Sequence, residues 1–341
     1  MTAYARALEQ EMRCRRNYLG ETPIQTLYIG GGTPSQLPAD ILERIFSAIG
    51  RHFELDANAE VTIEANPDDV TPGWLKALRQ TPVDRISMGA QTFSDRLLRF
   101  TRRRHDARQT LAAVEACQDA GITNISLDLI YGLPEQTMDE WLTDIRQALS
   151  LGITHLSAYA LSYEEGTPLE AMLRKGEVQE ADEELSRQMY DYLLLAAKQA
   201  GFLHYEISNL ALPGYHSRHN SSYWQGLPYL GLGAGAHSYD GSRSRRANLP
   251  DINAYIAAEG DVPHQEETLS DEELYDEYIM TRLRTSSGLL LEELSSEDRR
   301  YCLRQAAPHL AQHLLQIRDG RLCLTHEGIF TSNDIISDLM K

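Results

Sequence analysis

Up to about residue 210, short apolar, β-branched runs alternate with longer stretches whose apolar positions recur every three or four residues. This alternation predicts βα units around a parallel sheet. Six runs read as strands: Ile24–Ile29, Glu60–Ala65, Arg85–Ala90, Ile125–Tyr131, His155–Leu161 and Leu203–Ile207. They are nearly continuous in apolar character, as expected of strands covered on both faces by helices. Helix starts are marked by Pro38, by Thr71-Pro72 and by a capping box of Thr137 with Glu140, and Gly50, Gly121, Gly152 and Gly201 stand where helices should stop. The chain opens on a helical pattern, Thr2–Leu19, with Tyr4, Leu8, Met12 and Leu19 on one stripe. A βα series would place a strand before that helix.

From about 211 to 265 the pattern dissolves into a stretch rich in Gly, Ser, Tyr and His, read as an irregular connection that carries function. Residues 266–341 return to a helical pattern and close on Arg321-Leu-Cys-Leu-Thr with a turn at Gly328, like a small winged-helix module. The expected organisation is a partial (β/α) barrel over 1–210, a connecting segment over 211–265 and the module over 266–341. The module holds 8 basic against 15 acidic residues, a net −7, which disfavours nucleic-acid binding and leaves a packing lid or a protein contact.

The 341 residues suffice for a large domain and a smaller one, and 42% apolar with 24% charged is ordinary globular composition. Thirty-two basic and 50 acidic residues leave −18, a surface that repels phosphate backbones. No apolar run approaches the ~18 residues of a membrane span and no secretory leader is visible, so a cytoplasmic protein is expected. Cys14, Cys117, Cys302 and Cys323 are too scattered for a zinc knuckle or a disulfide framework and read as free thiols.

Candidate chemistry begins at Tyr28-Ile-Gly-Gly-Gly-Thr-Pro-Ser35, where a strand runs into three glycines. Such glycines let backbone N–H groups approach a carboxylate or phosphate, although a plain tight turn also needs them. Glu64 falls at the end of the second strand, Gln91 just past the third and Asp128 inside the fourth, towards the carboxyl-end face that is active in a parallel barrel. A carboxylate among Ile125, Leu127, Leu129 and Ile130 is costly to bury alone, so several polar strand ends together favour a shared ligand pocket. Arg99, Arg102, Arg103, Arg104 and Arg108 form a basic run around His105, of which one or two are expected to reach a site. In the irregular segment, His216 and His219 stand beside Tyr223 and Trp224, a pairing suited to a metal or a heme iron, with Arg243, Arg245 and Arg246 available for propionates. Gly231-Leu-Gly-Ala-Gly-Ala236 matches a dinucleotide fingerprint only formally, since no helix pattern follows it.

Taken in order, Gly30-Gly-Gly-Thr-Pro34, Met88-Gly-Ala-Gln91, Asp128-Leu-Ile-Tyr-Gly-Leu-Pro134, Tyr205-Glu-Ile-Ser-Asn209 and Gly233-Ala-Gly-Ala-His-Ser-Tyr239 resemble the radical S-adenosylmethionine superfamily. More narrowly, they resemble the branch related to oxygen-independent coproporphyrinogen oxidase that contains the HemW-type heme chaperones, over essentially the whole chain. The resemblance implies an incomplete parallel (β/α) radical SAM barrel with a C-terminal helical, winged-helix-like module. It implies that Gly31, Gly32 and Thr33 meet the methionine end of S-adenosylmethionine with Glu64 close by, that Gln91 and Asp128 hold the ribose, and that Arg103 meets the carboxylate. His219-Asn-Ser-Ser-Tyr-Trp224 is similar to the H-N-x-x-Y-W element of heme-binding members, which implies a heme contact at His219 with Tyr223 and Trp224 packing the macrocycle. The implied work is to bind heme and pass it to an acceptor protein; the alternative is oxygen-independent decarboxylation of coproporphyrinogen. The family's C-x3-C-x2-C loop, which holds a [4Fe–4S] cluster, is absent from this sequence. The expectation is that this loop and the first strand lie upstream of Met1, so that the cluster accompanies S-adenosylmethionine in a longer form.

Overall fold

The computed structural model describes residues 1–341. Its main sheet is built from β1 (Ile24–Ile29), β2 (Leu55–Ala65), β3 (Arg85–Gln91), β4 (Asn124–Tyr131), β5 (His155–Ala160), β6 (Leu203–Glu206) and β7 (Asn209–Ala211). The order across the sheet is β1-β2-β3-β4-β5-β7-β6, and β2 to β5 pair in parallel. This is the expected incomplete parallel barrel, a half-barrel in which Ile63, Ile86, Leu127 and Leu156 are wholly buried.

The far edge departs from expectation. The sixth run is a strand, but it runs antiparallel to β7, which itself runs antiparallel to β5. At three residues β7 is too short to leave a period in the sequence, and the two-residue reversal at Ile207-Ser208 makes a hairpin that seats β7 between β5 and β6.

The helix starts stand where the punctuation puts them. Thr71 accepts the Trp74 N–H at 3.2 Å, and Thr137 with Glu140 closes a reciprocal box at 3.2 and 3.0 Å. Gly121, Gly152 and Gly201 take left-handed backbone just past their helices. Gly50 does not end its helix, which runs on to His52. The first helix is shorter than its pattern: it spans Thr2–Arg15, and Leu19 lies beyond it.

Contacts divide the chain into two compact units that interleave in sequence: residues 1–27, 37–59 and 218–341 form one, residues 28–36 and 60–217 the other. In the first, two small antiparallel sheets follow the main one. β8 (His237–Tyr239), β9 (Ser244–Asn248) and β10 (His264–Thr268) lie in the order β10-β9-β8. β11 (Leu289–Leu290), β12 (Leu315–Arg318) and β13 (Arg321–Leu324) lie in the order β11-β13-β12. This last sheet packs with helices Asp271–Leu283, Ser296–Ala311 and Ser332–Leu339 around Ile279, Leu289, Cys302, Leu322 and Ile335. Cys117, Cys302 and Cys323 are buried free thiols and Cys14 is exposed. No helix is long and apolar enough to cross a membrane.

Candidate functional site

In the second unit, β1 ends where the three glycines begin. A Cβ on Gly30 would stand 2.5 Å from the Tyr28 ring and 2.8 Å from Glu64 Oε1, so any side chain there must displace one of them. Gly31 and Gly32 follow at φ +77° and +70°, backbone that side chains rarely adopt. The turn is tied to β2: Gly31 donates its N–H to Glu64 Oε2 at 3.2 Å, and the Tyr28 hydroxyl donates to Glu64 Oε1 at 2.8 Å. Thr33 and Pro34 then lead into a short 3-10 turn, held by the Ser35 hydroxyl donating to Asp69 at 2.7 Å. Gly30→Ala is expected to push Tyr28 or Glu64 aside at a cost of about 1–3 kcal/mol, read as a lower urea midpoint; an unchanged midpoint would show that the cradle yields freely.

On β4, Asp128 accepts from the Ser87 hydroxyl at 3.2 Å. Burial pushes its carboxyl up to about 6, against hydrogen bonding from Ser157 and Ser87 and the positive charge of buried Arg85, which pull it down. Gln91 ends β3 at φ +68°, where the β3–β4 register slips. A glutamine in left-handed backbone is strained, and such strain marks positions that aim a side chain. Gly89 clears its path, since a Cβ there would meet Gln91 Nε2 at 2.8 Å.

Of the basic run, Arg103 is partly buried and lies in the field of Asp68 and Asp128; burial lowers its pKa, and both acids oppose that. Arg104 is spoken for, in ion pairs at 3.1 Å with Asp68 and with Asp69. Arg99, Arg102 and Arg108 are exposed, and His105 is buried against the Ala90 carbonyl at 3.2 Å. The structure thus places Gly31, Gly32, Thr33, Glu64, Gln91, Arg103 and Asp128 in one unit, with Asp128 in electrostatic range of both Glu64 and Arg103. Sequence reasoning missed Ser87, Ser157 and Arg85. The signal was there in part, since Ser87 and Ser157 stand directly across β3 and β5 from the Ser126–Asp128 stretch.

In the first unit, helix Arg218–Trp224 carries the H-N-x-x-Y-W element. Both nitrogens of His219 are engaged, Nδ1 with the Thr26 hydroxyl at 3.1 Å and Nε2 with the Tyr223 hydroxyl at 3.0 Å. Tyr223 is 38% exposed and meets Tyr229 edge-on at 4.8 Å, and burial of its hydroxyl pushes the phenol up to about 12. Trp224 carries the Arg284 guanidinium over its ring at 5.3 Å, and Arg282 donates to its carbonyl. The three arginines expected to be free for propionates are committed elsewhere. Arg243 pairs with Asp271, Arg245 pairs with Glu277 at 2.5 Å, and Arg246 donates to Asn248 at 3.3 Å. The 231–236 glycines serve packing: a Cβ on Gly231 would fall 2.0 Å from the His237 carbonyl oxygen.

Comparison with known proteins agrees with this geometry. The Radical SAM superfamily matches residues 4–148 and the HemN C-terminal domain matches residues 269–331. The chain is 35% identical over 322 residues to the heme chaperone HemW of Lactococcus lactis, covering 93% of this chain and 85% of that one. It is 34% identical over 340 residues to heme chaperone HemW of Bacillus subtilis, covering 97% and 89%. Among solved structures, coproporphyrinogen III oxidase (HemN) from Escherichia coli superposes with a TM-score of 0.84 at 20% identity, over 99% of this chain and 82% of that one, a likeness of fold. This chain thus belongs to the HemW family, whose members it matches over nearly all of its length, and its residues 4–148 carry the radical SAM match.

Proposed function

We propose that this protein is a cytoplasmic heme chaperone, which binds heme at the Arg218–Trp224 helix and passes it to an acceptor heme protein. The observation that carries the heme assignment is a histidine fixed at both ring nitrogens beside an exposed aromatic face. Tyr223, Tyr229 and Leu227 offer apolar surface to a macrocycle, and Leu227 is 45% exposed. An imidazole serves as an axial iron ligand through a free nitrogen, so heme entry requires the Tyr223 hydroxyl to release Nε2.

Membership in the superfamily implies S-adenosylmethionine and a [4Fe–4S] cluster. The strand-end cradle suits the first. Gly31 and Gly32 leave room for the methionine end beside Thr33 and Glu64, Arg103 would meet the carboxylate, and Gln91 with Asp128 would take the ribose hydroxyls. The residues of this chain do not suit the second: no three His, Cys, Asp or Glu side chains converge to hold a metal ion. A cluster would need three thiolates at C-x3-C-x2-C spacing, which this sequence does not hold.

Hemin titration followed at the Soret band tests the heme reading. His219→Ala is expected to weaken binding about tenfold and shift the band, as loss of an axial ligand does. Tyr223→Phe, which frees Nε2, is expected to tighten it several-fold. Titrations identical to wild type for both variants would remove this helix from the heme site. Transfer of bound heme to an apo heme protein without porphyrinogen decarboxylation separates chaperone from oxidase.

A further inference from the structure

Helices Thr2–Arg15 and Ala39–His52 pack through Ala5, Met12, Ile41, Ile45, Ala48 and Ile49. Beside that contact lies a cleft of about 360 Å³, lined by Arg6, Glu9, Arg13, Arg44, Arg51 and His52. Its residues come from single helix faces. Arg6, Glu9 and Arg13 follow one another at spacings of three and four on the first helix, and Arg44 and Arg51 stand seven apart on the second. The apolar packing between the helices fixes the distance from one stripe to the other.

The charge in this cleft runs against the rest of the molecule. The chain carries −18, yet four arginines here face one glutamate, a local +3 before His52 is counted. Glu9 is shared, accepting from Arg44 at 2.9 Å and from Arg51 at 2.5 Å. Although desolvation pushes Glu9 up, bonding to Arg44 and the charge of Arg51 hold it below the usual range. One carboxylate thus orients two guanidinium forks and neutralises only one of four charges. Four like charges around one counter-charge repel one another, and an added anion relieves that repulsion.

We propose that this cleft binds a small polyanion carrying two or more adjacent phosphate or carboxylate charges. The volume lies in the range of small-molecule sites. Arginine forks recognise phosphate and carboxylate oxygens in pairs. Arginines on two helices favour a ligand that carries more than one charge, so a monoanion gains little. The site shares no residue with the strand-end cradle or the Arg218–Trp224 helix and stands independently of the function proposed above.

Calorimetric titration of the full chain with sodium pyrophosphate and, separately, with sodium citrate, at constant ionic strength set by chloride, tests the proposal. Saturable one-to-one binding of at least one of the two is expected, and the tighter of them tells phosphate from carboxylate chemistry. Arg6→Gln and Arg13→Gln leave the Glu9 bridge intact, and each is expected to weaken binding about tenfold, as loss of one charge-assisted hydrogen bond does. Arg300→Gln, on an exposed helix position outside the cleft, is expected to leave the titration unchanged. Circular dichroism verifies that each variant is folded. Absence of heat with both anions up to about 1 mM, where site affinity of this kind is exhausted, overturns the proposal. So does equal weakening by all three variants, which would report general surface charge.

Discussion

Asp128→Asn will lower S-adenosylmethionine affinity about a hundredfold near pH 7.5, the worth of two hydrogen bonds to a charged group. The ribose hydroxyls donate, so they need the ionised carboxylate, and burial holds that carboxyl at about 6. Wild-type affinity should therefore decline as pH falls through about 6, while the weak binding of the variant stays flat with pH. Stability moves the other way. A carboxyl whose folded pKa is raised favours the fold when protonated, so its contribution is present below the unfolded value of about 4 and is lost as pH rises towards 6. The asparagine variant should be at least as stable as wild type at pH 7.5, by urea denaturation. Retained affinity in a folded variant would show that Asp128 does not hold the ligand.

Glu11→Ala will cost the first unit about 3–5 kcal/mol, because it strands a buried charge. Glu11 is 0% exposed and accepts from Tyr255 at 2.7 Å, Asn248 at 2.8 Å, the Gly233 N–H at 2.9 Å and Arg15 at 3.2 Å. Removing it leaves Arg15 buried without its ion-pair partner and frees three further donors. Glu11→Gln keeps some acceptor capacity and should cost roughly half as much. A loss below about 1 kcal/mol for the alanine variant, in urea unfolding, would mean that water replaces the carboxylate and that the residue is not the hub its contacts describe.

Glu11 also shows how far the sequence could be read. An acid at a helix position between Ala7 and Met12 looks like surface, and its four partners come from residues 15 to 255. Nothing local announces that they meet. The same holds for Trp224, whose ring is covered by Arg284, and for Arg243 and Arg245, whose pairing with Asp271 and Glu277 no local pattern marks. Helix punctuation, by contrast, is local chemistry. Thr71, Thr137 and the glycines after the helices act within a turn of themselves, and they stand where their spacing put them.

Local and near-periodic information therefore determined the parallel strands β2 to β5, the helix starts, the strand-end places of Gly31, Glu64 and Gln91, and the place of Asp128 inside β4. Hydrophobic period and capping operate over a few residues, and strand ends follow from strands. Tertiary structure alone decided the antiparallel edge at β7, the protonation range of Asp128, the clamp of Thr26 and Tyr223 on His219, and the gathering of Arg6, Arg13, Arg44 and Arg51 into one cleft. Each of these depends on groups far apart in the chain sharing a small volume. Desolvation, charge and hydrogen-bond geometry have values only once that volume exists.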